Sequence, residues 1–166
     1  MKLSDAKSKY LETWGSLATQ WGINRTMAQI HALLLVAPNP LSAEDIMEQL
    51  QVSRGNVNMN IRALIEWGIV EKNLIPGERR EFFSAKKDIW ELFKQITKER
   101  RKREIEPVIE ILDELKKVDD KTTEGREFKK VVTEIVGVTK KLNKIVDLAI
   151  RSDEHWLMGK MTDLIK

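Results

Sequence analysis

The sequence predicts a mostly α fold with a small β-hairpin wing: a winged helix-turn-helix head followed by a long-helix dimerisation region. Three observations lead to this fold class. Two short helices with a tight turn between them occupy residues 42–67, and the second presents a polar outer face. Directly afterwards the apolar pattern changes from helical to extended, as a β-hairpin requires. Further on, apolar residues recur at alternating spacings of three and four, which is a heptad seam.

Composition limits the class of protein. A chain of 166 residues with 42% apolar side chains accommodates one domain, or a small domain plus an arm. The absence of cysteine excludes disulfides and thiolate metal sites, and it fits a reducing compartment. No signal peptide is expected, and no run approaches the roughly 20 apolar residues that span a bilayer. We therefore expect a cytoplasmic protein with no membrane partner.

The net charge of +3 is placed unevenly along the chain. Basic and acidic side chains are equal in number over residues 1–85, so the whole excess belongs to residues 86–166. A nucleic-acid contact in the first half must therefore depend on a few arginines rather than on a broad basic surface.

The first half begins with two predicted helices. Residues 4–21 form an amphipathic helix that ends at Gly22, and residues 25–37 form a nearly apolar core helix. Pro38-Asn39-Pro40 then breaks the helical pattern, because each proline removes a backbone donor. Ser42 caps a third helix, with acids in the first turn where the helix dipole favours them.

The stretch from Ser53 to Val70 is predicted to enter the major groove of duplex DNA. Ser53 is a suitable N-cap, and Gly68 ends the helix in the left-handed conformation. The apolar stripe that faces inward consists of Val57, Ile61, Leu64 and Ile65.

The opposite face of this helix carries side chains that read bases. Asparagine pairs bidentately with adenine, arginine pairs with guanine, and methionine contacts the thymine methyl. Glycine allows a phosphate or base edge to approach the backbone. The alternative is a surface helix that happens to be rich in asparagine, a poor helix former. The candidate DNA contacts are Ser53, Arg54, Gly55, Asn56, Asn58, Met59, Asn60 and Arg62.

A hairpin wing is predicted after this helix. Its strands are residues 69–75 and 80–83, and residues 76–79 have turn chemistry. Arg79 and Arg80 lie at or beside the tip, where they can reach a phosphate or a minor groove. An ordinary exposed turn with arginines is the alternative.

The rest of the chain is predicted to be helical. Asp88 caps a long helix, and the basic run 98–103 either touches DNA phosphates or, as we favour, forms a solvated face. Pro107 should kink or split that helix, and Asp153 begins a last helix. The heptad seam consists of Phe128, Val131, Ile135, Val138, Leu142, Ile145 and Ala149.

Three domains follow from this organisation. Residues 1–24 form an N-terminal helix that joins the dimerisation region. Residues 25–85 form the winged helix-turn-helix DNA-binding domain, and residues 86–166 form the helical dimerisation domain.

Three segments resemble the GbsR branch of the MarR-type winged helix-turn-helix transcriptional regulators: Ser53–Arg62, Glu66–Val70 and Pro76–Phe83. The basic helix leading into Arg103–Pro107 resembles that branch as well. The resemblance implies a homodimer that binds a palindromic double-stranded DNA operator, usually as a repressor. It also implies a small effector, because some members sense choline-like quaternary ammonium compounds.

A quaternary ammonium effector would need an aromatic cage. Trp67 ends the recognition helix and Trp90 begins the first dimerisation helix, so our hypothesis is that they line an effector pocket. The alternative is that both are core anchors.

No motif in the sequence supports an enzyme or a cofactor. The sequence contains no Gly-x-Ser-x-Gly nucleophile elbow and no phosphate-binding loop. The two histidines are far apart in sequence and have no other metal-ligand residues at suitable spacing. His31 is expected to be packed or at an interface, and His155 to be exposed, so we expect no metal site. The competing function is a winged-helix protein-interaction module that does not bind DNA, since fold alone does not define function.

Overall fold

The computed structural model describes residues 1–151. The helix expected from Asp153 onward, with His155, lies outside the described residues. None of the helices in residues 1–151 combines the length and the apolar character that crossing a bilayer requires. In chain order the elements are α1 (Leu3–Gln20), α2 (Arg25–Val36), β1 (Leu41–Ser42), α3 (Ala43–Leu50), α4 (Arg54–Glu66), β2 (Val70–Asn73), β3 (Phe82–Ala85), α5 (Ile89–Arg100), a π-helical turn (Arg101–Ile105), α6 (Glu106–Leu115) and α7 (Thr123–Arg151).

The chain divides into two compact units, residues 1–92 and residues 93–166. Helix α5 begins in the first unit and ends in the second. The first unit carries the helix-turn-helix and the hairpin, and the second carries the long C-terminal helix. The predicted fold class is therefore confirmed.

Helix α2 is the centre of the first unit, as its nearly apolar sequence predicts. Burying apolar surface of this kind supplies the main free energy of folding. The side chains that are most completely buried around it include Ile30, Leu34, Ile46, Val57 and Leu64.

A three-stranded antiparallel sheet completes the first unit, with β3 between β1 and β2. Leu41 lies opposite Phe83, and Val70 lies opposite Ala85. The hairpin was predicted, but its first strand is shorter than expected and its second strand, of the expected length, begins later, at Phe82. The pairing of β1 was not predicted, because a strand of only two residues has no detectable alternation.

Helix α1 packs against α2 through small residues. Gly15 and Ala18 are its buried positions, and a Cβ atom on Gly15 would lie 2.9 Å from Cγ of Gln29. Glycine at this position therefore allows the two helices to approach closely. Helix α1 belongs to the first compact unit, and its expected role in joining the dimerisation region stays a prediction.

In the second unit, α6 and α7 run antiparallel. Asp113 pairs with Lys140, while Arg101 pairs with Asp147, so the ends of the two helical segments meet in opposite order. The side chains buried along α7 include Val132 and Val136.

The chain remains helical around Pro107, and one turn before it is widened. The N–H of Glu106 donates to the carbonyl of Arg101, a spacing of five residues instead of four. Proline has no N–H for the carbonyl four residues earlier, and its ring crowds that carbonyl. The π-helical turn accommodates the proline without ending the helix.

Three arginines of the basic run 98–103 are engaged by carboxylates of the same unit. Arg100 pairs with Glu104, Arg103 with Glu99, and Arg101 with Asp147. This pairing favours the solvated face over a phosphate contact.

Candidate nucleic-acid interface

Helix α4 begins and ends as its sequence predicts. The hydroxyl Oγ of Ser53 accepts a 3.3 Å hydrogen bond from the N–H of Asn56. At the other end, Gly68 has φ +70°, and the N–H of Ile69 donates to the carbonyl of Leu64. These local bonds satisfy backbone groups that a helix leaves open at each terminus.

The inner stripe of α4 holds the helix against the core and so orients its other side. Val57, Ile61 and Leu64 are buried. Ile65, which the sequence placed in the same stripe, is partly exposed. The helix is therefore held by a narrower apolar stripe than the sequence suggested.

We call the exposed side of α4 its outer face. It consists of Arg54, Gly55, Asn58, Met59 and Arg62. Met59 is 60% exposed, so its side chain is accessible to a second molecule. Nothing lies within 4 Å of a Cβ atom built on Gly55, so packing does not require glycine there. The open space above Gly55 is compatible with the close approach of a DNA backbone.

Asn60 does not lie on the outer face. Its side chain is only 3% exposed, and its amide nitrogen donates to Asn56 at both the main-chain oxygen and Oδ1, at 2.8 and 2.6 Å. Its inclusion among the candidate DNA contacts is therefore corrected. The helical period already carried this signal, because position 60 lies between Val57 and Leu64 on the inner stripe.

The two arginines of α4 differ in their surroundings. Arg54 forms an exposed 2.5 Å ion pair with Glu44 of α3, which the sequence analysis did not anticipate. Arg62 is exposed, and its guanidinium makes no hydrogen bond or ion pair with any of residues 1–151. The guanidinium of Arg62 is thus available to a ligand. Arg54 can bind an anionic ligand only if its ion pair with Glu44 breaks.

Helix α3, which precedes the turn, is held by a capping box. The hydroxyl of Ser42 donates to Oδ2 of Asp45 at 2.7 Å, and the N–H of Asp45 donates to that hydroxyl oxygen at 3.2 Å. The carboxylate of Asp45 accepts hydrogen bonds from the hydroxyl and from the backbone N–H of Ser42, and these two bonds lower the pKa of Asp45 below its usual value.

The tip of the wing is a tight turn. The N–H of Glu78 donates to the carbonyl of Ile75 at 3.1 Å, and Gly77 has φ +86°. Pro76 precedes this glycine, and proline then glycine at the two central positions is typical of a type II turn. The turn holds the following arginines at the exposed end of the hairpin.

The wing arginines also differ from each other. Arg79 is exposed and is not engaged by any side chain in the described part of the chain. Arg80 lies 3.4 Å from a carboxylate oxygen of Glu78, and its guanidinium lies 5.3 Å from the centre of the Phe82 ring. Arg79 is therefore the wing residue with a free guanidinium.

His31 is packed in the core of the first unit, as expected. Its side chain is buried, and its Nε2 has no hydrogen-bond partner among the described residues. Burial lowers the pKa of His31 to about 4. Within residues 1–151, no group of three histidine, aspartate or glutamate side chains is arranged to hold a metal ion.

Trp67 and Trp90 are both half-buried. A cleft of about 420 Å³ lies elsewhere in the first unit, and neither tryptophan lines it. Their role as an effector pocket stays a prediction. The residues that line the cleft are Glu12, Thr13, Ser16, Leu17, Gln20 and Arg25.

The helices, the capped turn and the hairpin together define a winged helix-turn-helix domain. Residues 21–81 match the family model described as the MarR family. This match supports a MarR-type winged helix-turn-helix in the first unit.

Known transcriptional regulators are similar to the chain. The HTH-type transcriptional regulator MmpR5 of Mycobacterium tuberculosis (strain ATCC 25618 / H37Rv) is 29% identical over 76 residues. That match covers 45% of this chain and 46% of the relative, or about half the length of each. A crystal structure of a transcriptional regulator has a TM-score of 0.56 and 19% identity, and the match covers 82% of this chain and 95% of that one. The structural similarity supports the fold.

Proposed function

We propose that the protein is a transcriptional regulator that binds double-stranded DNA sequence-specifically through the outer face of α4. The observation that carries this proposal is the combination of Arg62, Asn58 and Met59, all exposed, on a helix whose other side is buried. The recognition helix of a helix-turn-helix lies in the major groove and presents its exposed side chains to base edges. These residue types have the donors, acceptors and apolar contacts that base edges require.

The wing supplies a second contact in this proposal. Arg79 lies beyond the tight turn at Gly77 and is exposed. A cation at such a tip suits a phosphate or a narrow minor groove. The candidate contacts carried into the proposal are Ser53, Arg54, Gly55, Asn56, Asn58, Met59, Arg62, Arg79 and Arg80.

The protein acts as a homodimer in this proposal, through the heptad seam of α7. Six seam residues have exposures between 43% and 62%, although all are large and apolar. A contiguous apolar stripe of this length is typical of an interaction surface. A second copy is the occupant we propose, because a heptad seam is complementary to a copy of itself. The six residues are Phe128, Val131, Ile135, Val138, Leu142 and Ile145.

Dimerisation has a consequence for the DNA target. A two-fold pair of recognition helices reads two half-sites about one turn of DNA apart, roughly 34 Å, so the operator is palindromic. We propose that the protein is a cytoplasmic repressor, and that it belongs to the GbsR branch its motifs resemble.

Control by a small effector is a further part of the proposal. A quaternary ammonium compound would lie against the rings of Trp67 and Trp90, since it is attracted to ring faces. Titration with choline and with glycine betaine, followed by tryptophan fluorescence and calorimetry, tests this part. If neither compound gives a heat of binding or a change in tryptophan fluorescence, the proposed effector pocket is wrong.

The test of the main proposal is a gel shift on the DNA upstream of the protein's own gene, at two salt concentrations. Specific binding that weakens with salt supports a regulator, because phosphate contacts release counterions. The competing candidate is a protein-interaction module, favoured by the balanced charge of residues 1–85. Failure to shift either this DNA or a random duplex at low salt would support that candidate.

A further inference from the structure

A pair of hydrogen bonds inside α4 links a buried asparagine to one at the protein surface. The side-chain nitrogen Nδ2 of Asn60 donates to the main-chain carbonyl oxygen of Asn56 at 2.8 Å. The same nitrogen donates to the side-chain oxygen Oδ1 of Asn56 at 2.6 Å. Asn60 is buried and Asn56 is partly exposed, so the contact runs from the core toward the surface.

The two bonds define which end of each amide is oxygen and which is nitrogen. A main-chain carbonyl can only accept, so the Asn60 atom facing it must be the NH₂ group. The second hydrogen of that NH₂ group then requires an acceptor, so the Asn56 atom facing it must be oxygen. The backbone of Asn56 is itself held, because its N–H donates to Oγ of Ser53.

This arrangement leaves the NH₂ group of Asn56 as the end that is not directed at Asn60. Asn56 lies in the first turn of α4, the part of a recognition helix that contacts base edges. A bidentate contact to adenine needs both ends of the amide to face the base. The bond from buried Asn60 takes one lone pair of the Asn56 oxygen and directs that oxygen toward Asn60, so the NH₂ group is the end of the amide that can turn toward a base.

We propose that Asn60 is a positioning residue that fixes the amide of Asn56 so that its NH₂ group, rather than its oxygen, faces the major groove. Asn56 then selects a base pair that places an acceptor at that point, such as guanine O6 or thymine O4. It disfavours adenine and cytosine, because these bases place an amino group there, at N6 and N4 respectively. This inference rests on the proposed function and names the chemistry of one base position.

The experiment is selection of bound sequences from a randomised duplex library by the full-length protein. Asn56→Ala identifies the base position that Asn56 reads, because discrimination is lost there. At that position the wild type should prefer acceptor bases over amino bases by about tenfold, the contribution of one hydrogen bond. Glu66→Gln is the matched control, since Glu66 is exposed on the same helix and is not among the proposed contacts; it should leave this position unchanged.

Two variants of Asn60 test the positioning role. Asn60→Ala removes the NH₂ group, so nothing holds the amide of Asn56 in one orientation, and the preference should fall to about equal. Asn60→Leu also offers neither donor nor acceptor while filling the buried space, so it should have the same effect. Circular dichroism checks that each variant is folded, and the leucine variant decides if the alanine variant is not folded.

The outcomes separate the inference from the proposed function. Asn60 variants that keep the wild-type preference would overturn the inference and leave DNA binding intact, as would an Asn56→Ala variant that loses no discrimination. A wild-type protein that enriches no sequence would overturn the proposed function, and the inference with it.

Discussion

Asp147 of α7 accepts a 2.8 Å hydrogen bond from Arg101, the first residue of the π-helical turn. The same carboxylate also pairs at 2.8 Å with Arg151, one helical turn away. The Arg101 side chain is 22% exposed and that of Arg151 is 76% exposed, so the two cations differ mainly in solvent screening. The bond to Arg101 therefore connects the widened turn to α7.

Arg101→Ala should destabilise the second unit more than Arg151→Ala does. An ion pair on an exposed side chain contributes little, whereas a shielded one with several hydrogen bonds contributes more. Urea unfolding at one fixed protein concentration measures the difference. Equal midpoints for the two variants would show that the bond does not stabilise the turn.

His31 makes stability depend on pH. Its folded-state pKa is about 4, against an ordinary 6.5, so the folded protein keeps the imidazole neutral. The unfolded chain takes up a proton below about pH 6.5, and stability should therefore fall between about pH 6.5 and pH 4, by about 3 kcal/mol in total. His31→Leu should flatten this part of the profile of unfolding free energy against pH. A slope that is the same with and without His31 would contradict the assignment.

Lys87→Met should lower the free energy of unfolding by about 1–2 kcal/mol. The ammonium Nζ of Lys87 donates to the carbonyls of Leu34, Leu35 and Ala37, at 3.0, 2.6 and 2.8 Å. These carbonyls end α2 and would otherwise lack partners there.

Lys86→Met is the matched control for this test. Lys86 precedes Lys87 directly, but its side chain makes an exposed 3.8 Å ion pair with Glu71 and caps no helix within residues 1–151. Its loss should cost less than about 0.5 kcal/mol. Thermal and urea unfolding of both variants measure the two changes in the free energy of unfolding. Similar decreases for the two variants would contradict the capping role of Lys87.

Arg62→Ala should weaken binding to a selected operator more than binding to random DNA. A bidentate contact to a base contributes about 1–3 kcal/mol of discrimination, which random sequences do not provide. Arg79→Ala should weaken both kinds of binding more evenly, because a phosphate contact carries no sequence information. Fluorescence anisotropy with labelled duplexes measures both. Equal losses for Arg62→Ala on the two duplexes would mark Arg62 as a phosphate contact.

Leu142→Asp should shift the protein from dimer to monomer. The substitution places a charge within the apolar seam, where pairing with a second copy would bury it. Lys144→Asp is the control, because Lys144 is exposed on the same helix but outside the seam. Sedimentation velocity compares the two. A wild-type protein that sediments as a monomer would remove the proposed dimer.

The sequence by itself determined the features that depend on near neighbours. Ser53 caps α4 through a residue three positions away, and Gly68 closes the same helix by its own backbone conformation. The order of helices and hairpin follows from apolar periods read over one or two turns. The apolar period also indicated which side of α4 is exposed, although Asn60 was placed on the wrong side.

The tertiary structure decided what depends on segments distant in sequence. The pairing of β1 with β3, the ion pair of Arg54 with Glu44 and the capping of α2 by Lys87 each join residues from different elements. No local period encodes these contacts, because they form only when the core packs α2, α3 and α4 together. Asn60 differs from these contacts, because the helical period already places it on the inner stripe of α4; burial in that core then directs its amide at Asn56 rather than at solvent.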